Sequence, residues 1–439
     1  MRDLLLLAVI YSSLPVIVFR PFLGLLVYGW LSYMRPQDMA WGVRGMPLSQ
    51  WVAIALVVGL VLSLGRERWL TIRTQTVLLI LLGVWISISV TQAVKPEEAG
   101  LMYGYYWKTI LIALLTTGLV TSRHRFRILL LLIVGCIGFL GAKRGLFGLL
   151  RGGIRFHDGP GGFMSDNNTF ALVLNMVLPL LVAVILTEKE KWMKVAAGAT
   201  AVLCTISILF TFSRGGLLTL AVVVPAVIWR SKHRLAITGL IGLGLAGFLF
   251  LTSDQFTQAY VERASTTFDY QEDKSAQGRL QAWKTSWRAF RDYPVFGVGP
   301  NNLQVVHRTY SPDPDRFRVS HNVFLQILAE CGLPAVLLFT ACLGTAFLSL
   351  NRLRKGTDLP WVEIYARMMQ ISIVAYVIGS MFLNTAYFEL IYQLMALSVS
   401  LDLAARAAAR EPLDATEPER ELPWWKRPAP PSPAWARRS

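Results

Sequence analysis

Residues Asn168 to Arg234 read NTFALVLNMVLPLLVAVILTEKEKWMKVAAGATAVLCTISILFTFSRGGLLTLAVVVPAVIWRSKHR. Three apolar runs, at about 168–187, 193–212 and 215–229, are separated first by a basic connection (Lys189, Lys191, Lys194) and then by a tight polar turn, Ser213-Arg214-Gly215-Gly216. A second basic connection follows at Arg230, Lys232 and Arg234. A bilayer core takes a helix of roughly 17–25 apolar residues. The segment therefore predicts a chain that crosses a membrane repeatedly, with positive charge on every second connection.

The rest of the chain extends this pattern. Of 439 residues, 54% are hydrophobic and only 16% are charged, against roughly 25% charged in soluble domains. Further apolar runs at about 4–33, 48–64, 76–92, 102–120, 126–142, 234–251, 322–350, 362–383 and 388–406 bring the total to twelve. The first is broken by Pro15 and by Arg20-Pro21, as one kinked crossing or two short helices. It has the outline of a signal peptide without a small-residue cleavage site, so an uncleaved span is expected. Basic clusters recur at Arg66/Arg68/Arg73, Arg123/Arg125/Arg127 and Arg352/Arg354/Lys355, and the positive-inside rule makes those connections cytoplasmic.

The expected fold is an all-α polytopic membrane protein with about 12 transmembrane helices and both termini inside. Helices 1–9 fall in 1–251, a large outer loop with an amphipathic helix in 252–321, helices 10–12 in 322–406, and a disordered, Pro-rich cytoplasmic tail in 407–439. Connections 34–47, 93–101, 143–167 and 252–321 lie outside, with 213–216 a tight fifth. Most of the +16 formal charge is accounted for by topology, the remainder by an electropositive site. The basic residues are scattered between apolar runs, which argues against nucleic acid. Cys136, Cys204, Cys331 and Cys342 lie in or beside apolar runs without CxxC spacing, as small packing residues.

Outside arginines and histidines run against the charge rule and need their own account. His124 and His233 belong to the basic connections, whereas His157, His307 and His321 lie outside. His321 alone stands at a helix mouth, ahead of Asn322, Gln326 and Glu330. It is either an interfacial residue beside a helix cap or a base whose ordinary pKa suits deprotonation of a hydroxyl. Arg214, between two apolar runs and before two glycines, is either part of a plain turn or an anion ligand at a helix start. Arg279 follows Gly278 at the start of an amphipathic helix, Arg279 to Phe290, with Leu280, Trp283, Trp287 and Phe290 on its apolar face and Lys284, Arg288 and Arg291 on its charged face. Arg288 is retained with Arg279 as a substrate contact. Lys143-Arg144 is a further outside pair that lines the same cavity or meets lipid head groups. The outer carboxylates form no DxD or ExxH pattern and no GK[ST] loop exists, so neither a metal nor ATP is indicated.

These pieces have a familiar order. Phe212-Ser213-Arg214-Gly215-Gly216, then Gly278-Arg279 with Trp283, then Pro294-Val295-Phe296-Gly297-Val298-Gly299, then Ser320-His321-Asn322-Val323-Phe324-Leu325-Gln326 with Glu330-Cys331-Gly332-Leu333-Pro334, together resemble the bacterial O-antigen ligase and polymerase superfamily over about 165–350. Met1-Arg2-Asp3 and the stretch from Tyr33-Met34-Arg35-Pro36 to Trp41 resemble exosortase-associated O-glycosylation ligases. The resemblance implies a GT-C-like inner-membrane glycosyltransferase that takes O-antigen from undecaprenyl diphosphate and passes it to lipid A–core at the periplasmic face. It makes the large outer loop, 252–321, a periplasmic one. It implies His321 as the group that activates the acceptor hydroxyl and Arg214 and Arg279 as diphosphate ligands, with Asn322 at the substrate and no cofactor. A protein O-glycosylation ligase or an O-antigen polymerase with the same donor is the near alternative; a lipid-linked saccharide transporter is the more distant one.

Overall fold

The structure, a computed structural model, describes residues 1–63, 67–230 and 274–410, with isolated positions at 234, 238, 239, 242, 252 and 258. The first apolar run forms two helices, α1 (Arg2–Phe19) and α2 (Pro21–Tyr33). Pro21 has no N–H to continue the ladder, but its fixed φ suits a first helical position, so the chain restarts there. There follow α3 (Pro36–Met39), α4 (Leu48–Leu62), α5 (Thr74–Thr91), α6 (Pro96–Leu119) and α7 (Arg123–Leu150). A short antiparallel hairpin, β1 (Asp158–Gly161) and β2 (Met164–Asp166), leads into α8 (Asn167–Thr187), α9 (Lys191–Phe210) and α10 (Arg214–Arg230). The remaining elements are α11 (Lys274–Asp292), α12 (Leu303–Tyr310), α13 (Val323–Lys355), α14 (Pro360–Ser380) and α15 (Glu389–Ala408).

Among the described residues, eight helices are long and apolar enough to cross a membrane, and α4 and α10 are apolar but shorter. The chain is a multi-pass, all-α membrane protein. The expected run at 234–251, most of the loop from 252 to 273 and the tail from 411 lie outside the described residues. One boundary needs correction. α7 continues to Leu150, so Lys143 and Arg144 stand in its last turns and the connection begins at Arg151.

α8 is the central helix. Every residue from Phe170 to Val184 is buried, against α7, α9, α10 and α14. The basic connections converge on one end of the bundle. Arg125 grips Glu67 through two bonds of 2.7 and 2.6 Å, and Arg127 grips Glu188 in the same way. The Arg123 guanidinium lies 4.9 Å over the Trp361 ring, and Arg73 is 3.8 Å from Asp402. Alternate connections with positive charge thus meet at one face, as their spacing requires.

At the opposite end, α13 is broken. Gly332 has φ 78°, and Pro334 removes one donor from the ladder. The backbone groups freed by this break are taken up by residues 294–299. The Ala329 carbonyl accepts from Val298 N–H, the Glu330 carbonyl from Gly299 N–H, and Leu333 N–H donates to the Pro294 carbonyl, each at 2.9 Å. α5 completes the plug. Ser89 Oγ donates to the Phe296 carbonyl (2.7 Å), Trp85 Nε1 to the Cys331 carbonyl (3.0 Å), and the Trp85 and Phe296 rings stack at 5.4 Å. The Pro294-Val295-Phe296-Gly297-Val298-Gly299 and Glu330-Cys331-Gly332-Leu333-Pro334 motifs are therefore two halves of one joint.

α11 is longer than the 279–290 helix read from the sequence, and it meets the body of the protein through small residues. Gly278, Ala282, Thr285, Ser286 and Ala289 are buried, and the helix packs on α13. Leu280 and Trp287 point outward, 47% and 51% exposed, as on a helix that lies in a membrane interface.

Replacing Gly332 with Ala puts a Cβ into the Val295 carbonyl at a positive φ. The substitution is expected to cost at least ~2 kcal/mol, seen as a lower melting temperature of the purified protein. Gly344→Ala, in the same helix with no neighbouring atom within 4 Å, is expected to leave it unchanged or raised.

Candidate functional site

Among the described residues, four that are not glycine hold a left-handed backbone: Arg35 (φ 51°), Phe212 (53°), Asn301 (59°) and His321 (48°). Each costs on the order of 1–3 kcal/mol unless its surroundings enforce it. All four lie at the end of the bundle away from the Arg–Glu clamps.

His321 is fixed from three sides. Its backbone N–H donates to Asn384 Oδ1 at 2.7 Å, in the connection between α14 and α15. The residue before it, Ser320, pairs with Ser286 of α11, Oγ to Oγ, at 2.8 Å. The residue after it, Asn322, caps α13 by accepting from Phe324 N–H (3.0 Å) and Leu325 N–H (3.1 Å), so Asn322 fills the cap role its position suggested. The His321 ring hydrogen-bonds the Phe382 backbone carbonyl. With one ring nitrogen donating there, the other nitrogen of the neutral imidazole carries a lone pair.

The electrostatics favour that neutral form. Burial pushes the His321 pKa below its ordinary 6.5, and the Arg279 and Arg318 guanidinium groups push in the same direction. Asp166 and the Phe382 carbonyl oppose the shift without cancelling it.

Arg279, near the start of α11, lies over the Phe382 ring at 5.7 Å. It lines a narrow cleft with Ser213, Gly215 and Gly216 at the start of α10. Ser213 Oγ accepts from Gly216 N–H at 3.1 Å and caps that helix. Gly216 is required by packing, since a Cβ there would come within 2.7 Å of the Ala171 side chain of α8. The start of α10 thus shares a cleft with Arg279 beside the Phe382 connection, through Ser213, Gly215 and Gly216, while Arg214 begins that helix without lining the cleft. First-turn N–H groups and a guanidinium group together favour an anion.

The other residues singled out in the sequence go elsewhere. Arg288 donates to the Tyr310 carbonyl at 3.2 Å on the exposed side of α11. Lys143 is exposed on α7. Arg144 donates to the Asp158 and Gly159 carbonyls and lies over the Phe156 and Phe170 rings at 5.1 and 5.5 Å, so it holds the hairpin. Arg288, Lys143 and Arg144 line neither the α10–Arg279 cleft nor the larger cavity described below. His307 is buried, with Nε2 3.1 Å from the Asp313 carbonyl. His157 and His124 are exposed, and His233 lies outside the described residues.

Sequence reasoning missed Arg318, Phe382 and Asn384. Arg318 lies across Gly278, where a side chain would collide with its guanidinium. It is an arginine outside the basic connections, the criterion that singled out Arg214 and Arg279. Asn384 had a signal too. Twelve crossings with both termini inside require six outer connections, and the sixth, between the runs 362–383 and 388–406, contains it.

A second cavity, of about 560 Å³, is lined by Asn384, Thr385, Tyr387 and Phe388 of this connection. Its floor is Glu330, 4% exposed, which accepts from Tyr387 Oη (2.7 Å) and Gln326 Nε2 (3.4 Å).

A family model described as O-Antigen ligase matches residues 199–340. That segment is similar to the O-antigen ligase family. The matched segment holds Arg214, Arg279, Arg318, His321, Glu330 and the 294–299 joint, so the family's signature falls on the elements that build this end of the bundle. The similarity supports a membrane ligase of the O-antigen ligase and polymerase type. A second model, a family of unknown function (DUF5935), matches residues 1–185, and a comparison with curated proteins returned no match. Asn384 and Phe382 fall outside both matched ranges.

The lowered His321 pKa has a defined kinetic sign. A base must be unprotonated, so kcat/KM is expected to fall as pH drops through the pKa of the free enzyme. The acid limb should have its midpoint below 6.5, measured in the purified protein. A midpoint above 6.5 contradicts the assignment of that limb to His321.

Proposed function

We propose that this protein transfers O-antigen polysaccharide from undecaprenyl diphosphate to lipid A–core at the periplasmic face of the inner membrane, with His321 as general base. The observation that carries this reading is the pairing of a neutral, oriented imidazole with a guanidinium-lined cleft at a helix start. The match of residues 199–340 to the O-antigen ligase family model supports the reaction type.

The step is a direct displacement. The acceptor hydroxyl oxygen forms a bond to the anomeric carbon, and the bond from that carbon to the diphosphate oxygen breaks with its electron pair on oxygen. The hydroxyl proton passes to the unprotonated His321 nitrogen, and attack opposite the leaving group inverts the anomeric carbon. The donor is already activated, so the protein has to orient the two substrates, neutralise the leaving diphosphate and accept one proton. Arg279 and Arg214 are assigned the neutralising role, through charge-assisted bonds that strengthen as charge develops on the leaving oxygen. The positive charge required comes from the chain, and the step is written without a metal ion.

His321→Ala, at normal expression, is expected to reduce transfer by ~10²–10⁴-fold. Gels of cellular lipopolysaccharide should lose the polymer ladder while lipid-linked polymer accumulates. A normal ladder removes the general-base assignment, and loss of a glycoprotein band with an intact ladder redirects the acceptor to protein. Arg279→Ala is expected to lower in vitro transfer by ~10²–10³-fold, and Arg279→Lys to restore only part of it, because Lys cannot reproduce a planar two-donor fork. Full rescue by Lys would mean that charge alone is recognised.

A further inference from the structure

The 560 Å³ cavity is separate from the α10–Arg279 cleft, and its chemistry is different. No lysine, arginine or histidine stands among the described residues that line it. A diphosphate would find no positive charge among those residues. Its walls include the Phe163, Phe317 and Phe388 rings, and Gln304 and Thr169 stand among its polar groups. Its floor is a built hydrogen-bonding unit. The buried Glu330 carboxyl is held by Tyr387 Oη, by Gln326 Nε2 and by a backbone hydrogen bond from Asn301. Asn301 itself holds φ 59°, and Gln326 Oε1 accepts from Ala386 N–H at 3.2 Å.

A sugar ring has an apolar C–H face and a rim of hydroxyls that both donate and accept. Aromatic walls with amide, hydroxyl and carboxyl groups match that combination, and the volume lies within the ~300–1,000 Å³ usual for small-ligand sites. Position adds to composition. Asn384 lines the cavity and also holds the His321 backbone, so the cavity wall and the histidine share one anchor.

We propose that this cavity is a saccharide subsite, holding uncharged sugar rings next to His321 with the Glu330–Tyr387–Gln326 unit as its floor. The proposal deepens the glycosyl-transfer reading and rests on it for the source of the sugar. Acceptor glycan and donor glycan share the required chemistry, and the measurement separates them.

The test uses the full chain in nanodiscs, with oligosaccharide freed from the host's lipopolysaccharide by mild acid as the probe. The variants are Gln304→Ala, on an exposed residue of α12, Phe163→Ala and Glu330→Gln. In direct binding without donor, the wild type should bind the probe saturably and each variant about tenfold more weakly, the loss of one good contact. In transfer assays, Gln304→Ala should raise KM for one saccharide substrate about tenfold with kcat within about twofold. A rise confined to lipid A–core assigns the cavity to the acceptor, and one confined to the lipid-linked donor assigns it to the donor glycan; either supports the subsite. If both KM values and probe binding are unchanged while His321→Ala is inactive, the subsite is overturned and the transfer reading stands. If the wild type transfers nothing, the transfer reading falls, and the binding experiment alone decides the cavity.

Discussion

The break in α13 is the constraint on which this end of the molecule depends. A helix that loses its ladder within a membrane leaves polar backbone groups without water to satisfy them, each costing several kcal/mol. Here the groups around Gly332 and Pro334 are met by the 294–299 turn and by Trp85 and Ser89 of α5. The same bonds dock α11 and α12 onto the bundle. The break turns the first segment of α13 so that His321 stands at its start and Glu330 lies in a cavity wall. Without the plug, neither the break nor the two small helices above it would be stable.

The connection from Met381 to Phe388 then organises what the break creates. Phe382 carries Arg279 on its ring and accepts a hydrogen bond from the His321 imidazole at its carbonyl. Asn384 holds the His321 backbone, and Tyr387 holds Glu330. One short segment therefore contributes Phe382 to the cleft that holds Arg279, contributes Asn384 and Tyr387 to the cavity above Glu330, and anchors the His321 backbone. This arrangement suits a reaction whose leaving group is an anion and whose nucleophile is neutral.

Much of the architecture was legible because membrane crossing leaves a coarse signal. Apolar runs map onto helices wherever the chain is described, and alternating charge marks the end where Arg125 and Arg127 are clamped. His321 and Arg279 were each singled out by their position outside the basic connections, whereas their joint role came only from the family resemblance; the structure brings them within electrostatic reach. Other features were not legible. Arg144 and Arg288 have the same composition signal as Arg279, but they are engaged by backbone carbonyls of the hairpin and of α12, a distinction only tertiary contacts make. Leu280 and Trp287 of the expected apolar face stand exposed on α11 beside Lys284 and Arg288, and the face that anchors the helix is a row of small residues with no hydrophobic signature. The cavity around Glu330 is assembled from α6, the hairpin, α12, α13 and the 381–388 connection, which no local pattern brings together.

The bond from His321 N–H to Asn384 spans 63 residues of chain, with the rest of α13 and the whole of α14 between its ends. During synthesis the histidine emerges long before its partner. Until α14 has inserted and the 381–388 connection has followed it, the imidazole has neither its carbonyl nor its amide anchor. A partly made chain already carries the matched 199–340 segment without the contacts that orient His321. The geometry of this end of the bundle is thus completed only by the last insertion events of biogenesis.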